Sequence, residues 1–208
     1  MSDSSALHLT REFGNLITSF LGRRRKSGEA SGMQLGLIGY YSDFVVYPLV
    51  IALLGVAGLI EAGEEGAPDW IAMALVCLGL WTLIEYVLHR FVLHHVPWVR
   101  DLHDRHHVEE RSPVGTPTWL SLGVHAAIAL SVWLITDFAT GSAVGCGLML
   151  GYLWYISVHH MIHHWHPSHP SYLYTLKRRH AVHHHVDDNA NFGVTSIFWD
   201  RIFGTARL

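Results

Sequence analysis

Residues 70–95 read WIAMALVCLGLWTLIEYVLHRFVLHH. From Trp70 to Leu88 this stretch carries one acid, Glu85, and no base. A buried helix of a soluble bundle, the rival reading, normally keeps a polar face, and no such face is present. About 20 apolar residues are needed to cross a bilayer. The stretch is read as a transmembrane helix that ends in histidines, His89 and His94. Three further apolar runs extend outward from it, at about 44–60, 118–135 and 143–158. Together they predict an all-α chain built on a four-helix transmembrane bundle.

Charge placement supports that reading independently. Arg11, Arg23, Arg24, Arg25 and Lys26 precede the first run. The connection at 61–69, EAGEEGAPD, holds four acids and no base, and the turn at 136–142 has Asp137 and no base. The remaining basic residues are Arg90, Arg100, Arg105 and Arg111, then Lys177, Arg178, Arg179, Arg201 and Arg207. With four spans, all 14 Lys and Arg fall on one side, which the positive-inside rule makes cytoplasmic. An integral multi-pass protein with both termini in the cytoplasm is expected. A net charge of −3 argues against a nucleic-acid partner. The two cysteines, Cys77 and Cys146, sit inside apolar runs and imply neither a disulfide framework nor a thiolate zinc site.

The polar N-terminus shows no cleavable signal peptide. Residues 7–22 place Phe13, Leu16, Ile17, Phe20 and Leu21 on one helical face, which suits either a helix lying on the cytoplasmic surface or a frayed arm. Residues 1–35 are therefore taken as an N-terminal segment and linker. Residues 36–208 are taken as the membrane domain, with a cytoplasmic helical cap formed by 89–117 and 159–208.

The chain has 18 histidines, and all but His8 follow residue 88. Most form four clusters on the predicted cytoplasmic side: HRFVLHH (His89, His94), HDRHH (His103, His106, His107), HHMIHH (His159, His160, His163, His164) and HAVHHH (His180, His183, His184, His185). Separations of three and four residues put imidazoles on one helical face. His89 and His94 are five apart, so a bend or helix end is expected between them, near Val96-Pro97. Neutral imidazole suits iron, zinc, copper and nickel. A single zinc site needs three or four ligands, and so many clustered histidines fit two metals better. Soluble ferritin-like di-iron bundles use carboxylates, so this would be an all-histidine variant. His8 and His125 are read as ordinary residues, and His166 and His169 as shaping a Pro-rich turn. His95, His160, His164 and His185 are register neighbours of the ligands.

HRFVLH, HDRHH, HHMIHH, HAVHHH and the tail FGVTSIFWDRIFGT at 192–205 together resemble the fatty acid hydroxylase/sterol desaturase superfamily, closest to the sphingolipid-type fatty acid 2-hydroxylases. The resemblance covers roughly residues 70–208. It implies a di-iron centre, which zinc can occupy after purification, held by His89, His94, His103, His106, His107, His159, His163, His180, His183 and His184. It also implies O2-dependent hydroxylation of a lipid acyl chain. Eukaryotic 2-hydroxylases often carry a fused cytochrome b5 domain with an HPGG motif, which this sequence lacks. A separate cytochrome b5- or ferredoxin-like electron donor is therefore expected. No catalytic residue beyond the ligands is implied.

Glu85, His160, His164, His185 and Asp200 are candidates to support the ligands from outside. Glu85 lies one turn before His89 and could orient it. Thr195, Trp199 and Asp200 are expected to pack the cap against the membrane face. The segment WHPSHPSYLYTLKRR at 165–179 is a candidate cap over the site, and Lys177, Arg178 and Arg179 could steer an acidic donor or bind an anionic headgroup. A sterol desaturase or carotenoid hydroxylase would share the metal site. A metal transporter or store is the non-enzyme alternative, although transporters place ligands within their spans, where only His125 lies.

Overall fold

A computed structural model describes residues 35–208, so the expected N-terminal surface helix and His8 lie outside the described residues. All regular elements described are helical. A short α1 (Leu37–Tyr41) leads into α2 (Asp43–Val87), which runs on as a π-helical turn (Leu88–Leu93). Then come α3 (Pro97–Val108), α4 (Thr118–Ile135), α5 (Phe138–His164), α6 (Tyr172–His185) and α7 (Phe198–Ile202).

The 45-residue α2 is not one straight rod, because Gly63 has φ 67° and ψ −178°. Only glycine takes that backbone conformation without strain. A methyl group added at Gly55 would sit 3.8 Å from the Trp70 ring, and one at Gly58 would sit 2.6 Å from Trp70 Nε1. In a continuous helix those residues would be roughly 18 Å or more apart at ~1.5 Å per residue. The chain therefore doubles back at Gly63, and both arms reach one core of Tyr47, Cys77, Trp81, Leu148, Met149 and Tyr152. Where the sequence suggests a nine-residue connection, a reversal at one glycine suffices, with helix on either side.

Among the described residues, three helices are long and apolar enough to cross a membrane: Leu37–Leu93, Thr118–Ile135 and Phe138–His164. The middle one matches the expected run. The last extends beyond the expected 143–158 at both ends. Asp137 caps its start by accepting from Thr140 N at 2.8 Å, and the helix continues through the HHMIHH motif. Much of the apolar surface of α2 and α4 faces outward, including Leu53, Ile60, Val76, Leu134 and Ile135.

Two glycine pairs let α5 run close to its neighbours. Methyl groups at Gly147 and Gly151 would meet Ala74 O and Trp81 Cβ, each at 2.3 Å, on the second arm of α2. Methyl groups at Gly141 and Gly145 would meet α4, at 2.8 Å from Ala129 O and 2.9 Å from Ala129 Cβ. This is the small-xxx-small packing of apolar helices. It fixes the rotation of α5 and so the direction in which its histidines point. Beyond the core, Val158 and Ile162 of α5 pack with Leu176 of α6 and Val194 of the tail. Cys77 and Cys146 are buried and unpaired with each other, as expected.

Candidate metal centre

The four histidine motifs arrive on different elements: the π-helical turn with the residue after it, then α3, α5 and α6. The helix ends where expected, at Leu93 before Val96-Pro97, and its last turn is the π-helical one. Its wider i→i+5 repeat brings residues five apart onto one side. The two rings stack, with centroids 5.2 Å apart and an interplanar angle of 23°. Pro97 then opens α3 at its first turn, where a missing N–H costs nothing.

The ten histidines named from the sequence come together in two groups of five. One holds His89, His94, His103, His107 and His183; the other holds His106, His159, His163, His180 and His184. Within each group, one ligand atom per residue lies within 4.8 Å of all the others. In the first group His103 Nε2 is 3.0 Å from His89 Nε2, 3.1 Å from His94 Nε2 and 3.0 Å from His107 Nε2. In the second, His163 Nε2 is 3.1 Å from His106 Nε2 and 3.0 Å from His180 Nε2. The groups abut, with His107 and His184 stacked at 4.2 Å.

Hydrogen bonding cannot account for this packing. One Nε2 offers either one proton or one lone pair, and His103 Nε2 faces three others. Where the outer nitrogen is engaged, it fixes the tautomer. His89 Nδ1 donates to the Phe192 carbonyl at 2.6 Å, and His183 Nδ1 donates to the Ala190 carbonyl at 2.7 Å. Both therefore turn a bare Nε2 lone pair inward. Two nitrogens bound at ~2.0–2.1 Å to one cation, at angles between octahedral and tetrahedral, are about 2.9–3.4 Å apart. The observed spacings of 3.0 and 3.1 Å fall in that window. His184 Nδ1 and Nε2 are also both buried without a hydrogen-bond partner among the described residues, and a cation would satisfy one of the two. The donor set fits a pair of imidazole-bound metal ions.

Electrostatics agree for the histidines that lie beyond the long apolar helices. Burial, followed by repulsion from facing imidazoles, holds His103 and His180 well below the ordinary histidine range. Burial likewise takes His106 and His107 down to about 3 and His183 down to about 4. His94 and His184 are also lowered, mainly by burial. These imidazoles are neutral at pH 7, the form that ligates metal.

The supporting residues differ in part from expectation. Glu85 does not hold His89; its Oε1 accepts from the Thr195 amide and hydroxyl, both at 2.8 Å. His89 is held by Phe192, which the sequence reading did not single out. Asp200 acts one step further out: it is fully buried and accepts from the amides of Phe192 and Gly193 at 2.9 Å and from Thr205 at 2.7 Å. Between the two carbonyls that hold His183 and His89 sits Asn191, with φ 55°. Its side chain accepts from Arg179 at 2.6 Å and donates to the Arg179 carbonyl at 3.2 Å. Residues 190–192 thus form a short strap behind the first group. His160 shares a 3.0 Å hydrogen bond with Tyr40 and stacks on His164 at 4.3 Å, so this pair makes its contacts away from the ligands. His185 reaches the second group through Glu110, also missed, which contacts His185 and His163, and through a ring contact with His184 at 6.0 Å. The pair of acids after HDRHH was the available signal for Glu110.

Other assignments also change. Lys177 donates to the carbonyls of Ile162 and Trp165, at 2.5 and 3.0 Å, closing the C-terminus of α5. Arg179 is buried against Asn191, so of the three basic residues only Arg178 has no such structural bond among those described. His125 is buried within α4, where its Nδ1 donates to the Ser121 carbonyl at 2.7 Å. Trp199 packs the tail onto α2, donating to Thr82 at 3.0 Å.

The sequence matches the family Fatty acid hydroxylase over residues 74–205, which includes all ten ligand candidates. The chain belongs to the fatty acid hydroxylase family. Within that family it is 33% identical over 154 residues to the fatty acid 2-hydroxylase of Homo sapiens, covering 66% of this chain and 41% of the human protein. It is 31% identical over 172 residues to the ceramide very long chain fatty acid hydroxylase SCS7 of Saccharomyces cerevisiae, covering 76% of this chain and 43% of the yeast protein. A dihydroceramide fatty acyl 2-hydroxylase of Arabidopsis thaliana, FAH2, is 33% identical over 147 residues, covering 63% of this chain and 60% of its own. A solved structure described as full-length scs7p, with only its hydroxylase domain visible, superposes with a TM-score of 0.66 at 26% identity, over 82% of this chain and 67% of that one. The chain thus spans about two fifths of the human and yeast fatty acid hydroxylases it matches.

Proposed function

We propose that this family member is a membrane-bound di-iron oxygenase that hydroxylates the acyl chain of a lipid, using O2 and electrons from a separate donor protein. The observation that carries the reading is the pair of five-imidazole groups with inward-facing ligand nitrogens. The 2-hydroxylase relatives favour an acyl chain over a sterol or a carotenoid. His89, His94, His103, His107 and His183 hold one ion; His106, His159, His163, His180 and His184 hold the other. Two iron ions, when bound, supply O2 activation and the insertion of one oxygen atom into an unactivated C–H bond. The protein keeps the ligands neutral by burial, and His89 and His183 keep their protons on Nδ1 against main-chain carbonyls. Fixed and largely buried imidazoles also keep bulk water from the ligand nitrogens.

In this reading the two arms of α2, with α4 and α5, form the four-helix transmembrane bundle, and α3, α6 and α7 form the cytoplasmic cap. Exposed Trp98, Trp119, Trp165 and Tyr172 lie at helix ends on the ligand side. Amphipathic aromatics favour such positions at a membrane–water interface. The groups then sit where an acyl tail can reach them from the bilayer while an electron donor docks from the cytoplasm.

The test is expression of the chain and of His183→Ala, with lipid mass spectrometry under 18O2 and metal analysis of the purified protein. The expected product is a hydroxylated acyl chain carrying one 18O, absent with His183→Ala. Iron-loaded protein that consumes no O2 with a reductant and lipid would overturn the enzyme reading. Label appearing in sterols or carotenoids would reassign the substrate.

A further inference from the structure

Each group of imidazoles has an outer side, and the two outer sides are built differently. Behind the first group the hydrogen-bond partners are neutral main-chain carbonyls, those of Phe192 and Ala190, and Asp187 and Asp188 act on His183 through space without bonding to it. Behind the second stands one carboxylate. Glu110 Oε2 lies 3.3 Å from His163 Nδ1, and Glu110 Oε1 accepts from His185 Nε2 at 2.8 Å.

We propose that Glu110 is a positioning residue for the second group, holding His163 so that this group binds its cation more tightly than imidazoles alone would. The inference rests on the reading that each group takes one metal ion.

Geometry supports the assignment. Glu110 lies just beyond the end of α3, where Ser112 bonds back to the Glu109 carbonyl through its amide and hydroxyl, both at 2.9 Å. From that turn the carboxylate reaches the last turns of α5 and α6 at once. Those three helices carry every ligand of the second group: His106 on α3, His159 and His163 on α5, His180 and His184 on α6. One side chain therefore ties together the three supports of one ion.

The chemistry gives the direction. A carboxylate that accepts the Nδ1 proton fixes the ring and leaves a bare Nε2 facing the group. It also raises the donor strength of that nitrogen more than a neutral carbonyl does. His163 is the ring best placed to pass this on, because its Nε2 is within 3.3 Å of those of His106, His159 and His180. The side chain of His163 is 5% exposed and that of Glu110 33%, so the carboxylate shields this edge of the group while remaining hydrated. His185, with a side chain 56% exposed, is a strut that keeps Glu110 turned inward. That gives the fourth histidine of HAVHHH a task other than ligation.

The experiment uses the full chain, purified in detergent micelles and stripped of metal, then titrated with Co(II) at pH 7 against a competing chelator. Cobalt absorption and calorimetry follow the two binding steps. The wild type is expected to bind two ions. Glu110→Gln and Glu110→Ala should each weaken one of those ions by about 10–100-fold, the usual range for losing such an outer partner, and leave the other unmoved. The alanine variant should be the weaker of the two, because Gln still offers an oxygen to His163. His185→Gln, an exposed change that spares the fold, should weaken the same ion by less. An equal effect on both ions, or none on either, would overturn the inference while leaving the metal centre intact. A wild type that binds no Co(II) would overturn the metal reading and this inference with it.

Discussion

Ten buried or half-buried imidazoles packed against one another are a liability unless each remains neutral, and that requirement has a measurable consequence. In the folded chain burial lowers His106 and His107 to about 3 and His183 to about 4, against 6.5 for an ordinary histidine. Above about pH 7.5 neither the folded nor the unfolded chain protonates these rings appreciably, and they add little pH dependence. Below it the unfolded chain takes up protons that the folded one refuses. Stability therefore rises with pH across this window and is lost as pH falls from 6.5 toward 4. Metal-stripped protein in detergent should show a nearly flat melting temperature above about pH 7.5 and a progressive drop from about pH 7 to 5. An unchanged midpoint at pH 5 would contradict the burial of these rings. That the four histidine motifs converge was legible in the sequence, because spacings of three and four on helices report on shared faces; spacing alone does not separate His159 and His163 from His160 and His164, and there the family resemblance made the choice. The residues that hold the ligands from behind were less legible. Phe192 and Ala190 act through main-chain carbonyls, which no side-chain pattern encodes.

Helix α5 carries His159 and His163, so whatever sets its rotation also sets the site. Gly147 and Gly151 let it approach the second arm of α2 so closely that an added methyl group at either would sit 2.3 Å from an atom of the neighbour. Gly151→Val should separate the helices, with an expected loss of about 1–3 kcal/mol, the range for overpacking. It should also reduce metal retention, because His159 and His163 move with the helix. Gly79→Ala is the control, since a methyl group there meets nothing within 4 Å. Thermal unfolding and metal content measured side by side test this, and a Gly151→Val protein matching the control in both would show that α5 is located by other contacts. Two Gly-xxx-Gly patterns, 141/145 and 147/151, were present in an apolar run and could have been read as contact faces. The π-helical turn could not, because LHRFVL has the composition of ordinary helix. A five-residue spacing there reads as a break until the widened turn is seen.

At the scale of the molecule, the question is how many times the chain crosses the bilayer. Taken by length alone, Leu37–Leu93 is one apolar helix. A single crossing would place the acidic stretch around Glu64 near the middle of the hydrocarbon, where a charged side chain costs about 2.5–3.5 kcal/mol or more. The reversal at Gly63 offers a cheaper arrangement, with Glu61, Glu64 and Glu65 at the tip of a hairpin and two crossings in place of one. Glu64 and Arg201 are both exposed, and Cys77 and Cys146 are buried, so single cysteines introduced at the first two positions report without interference. In sealed membranes a membrane-impermeant maleimide should label Glu64→Cys and Arg201→Cys from opposite faces, with Arg201→Cys on the cytoplasmic one. Labelling of both from the same face would remove the four-crossing bundle. Protection of Glu64→Cys from both faces would restore the single long crossing. Two crossings before His89 would return the chain to the face from which it entered, and all four histidine motifs would then meet without any candidate ligand having to cross the hydrocarbon.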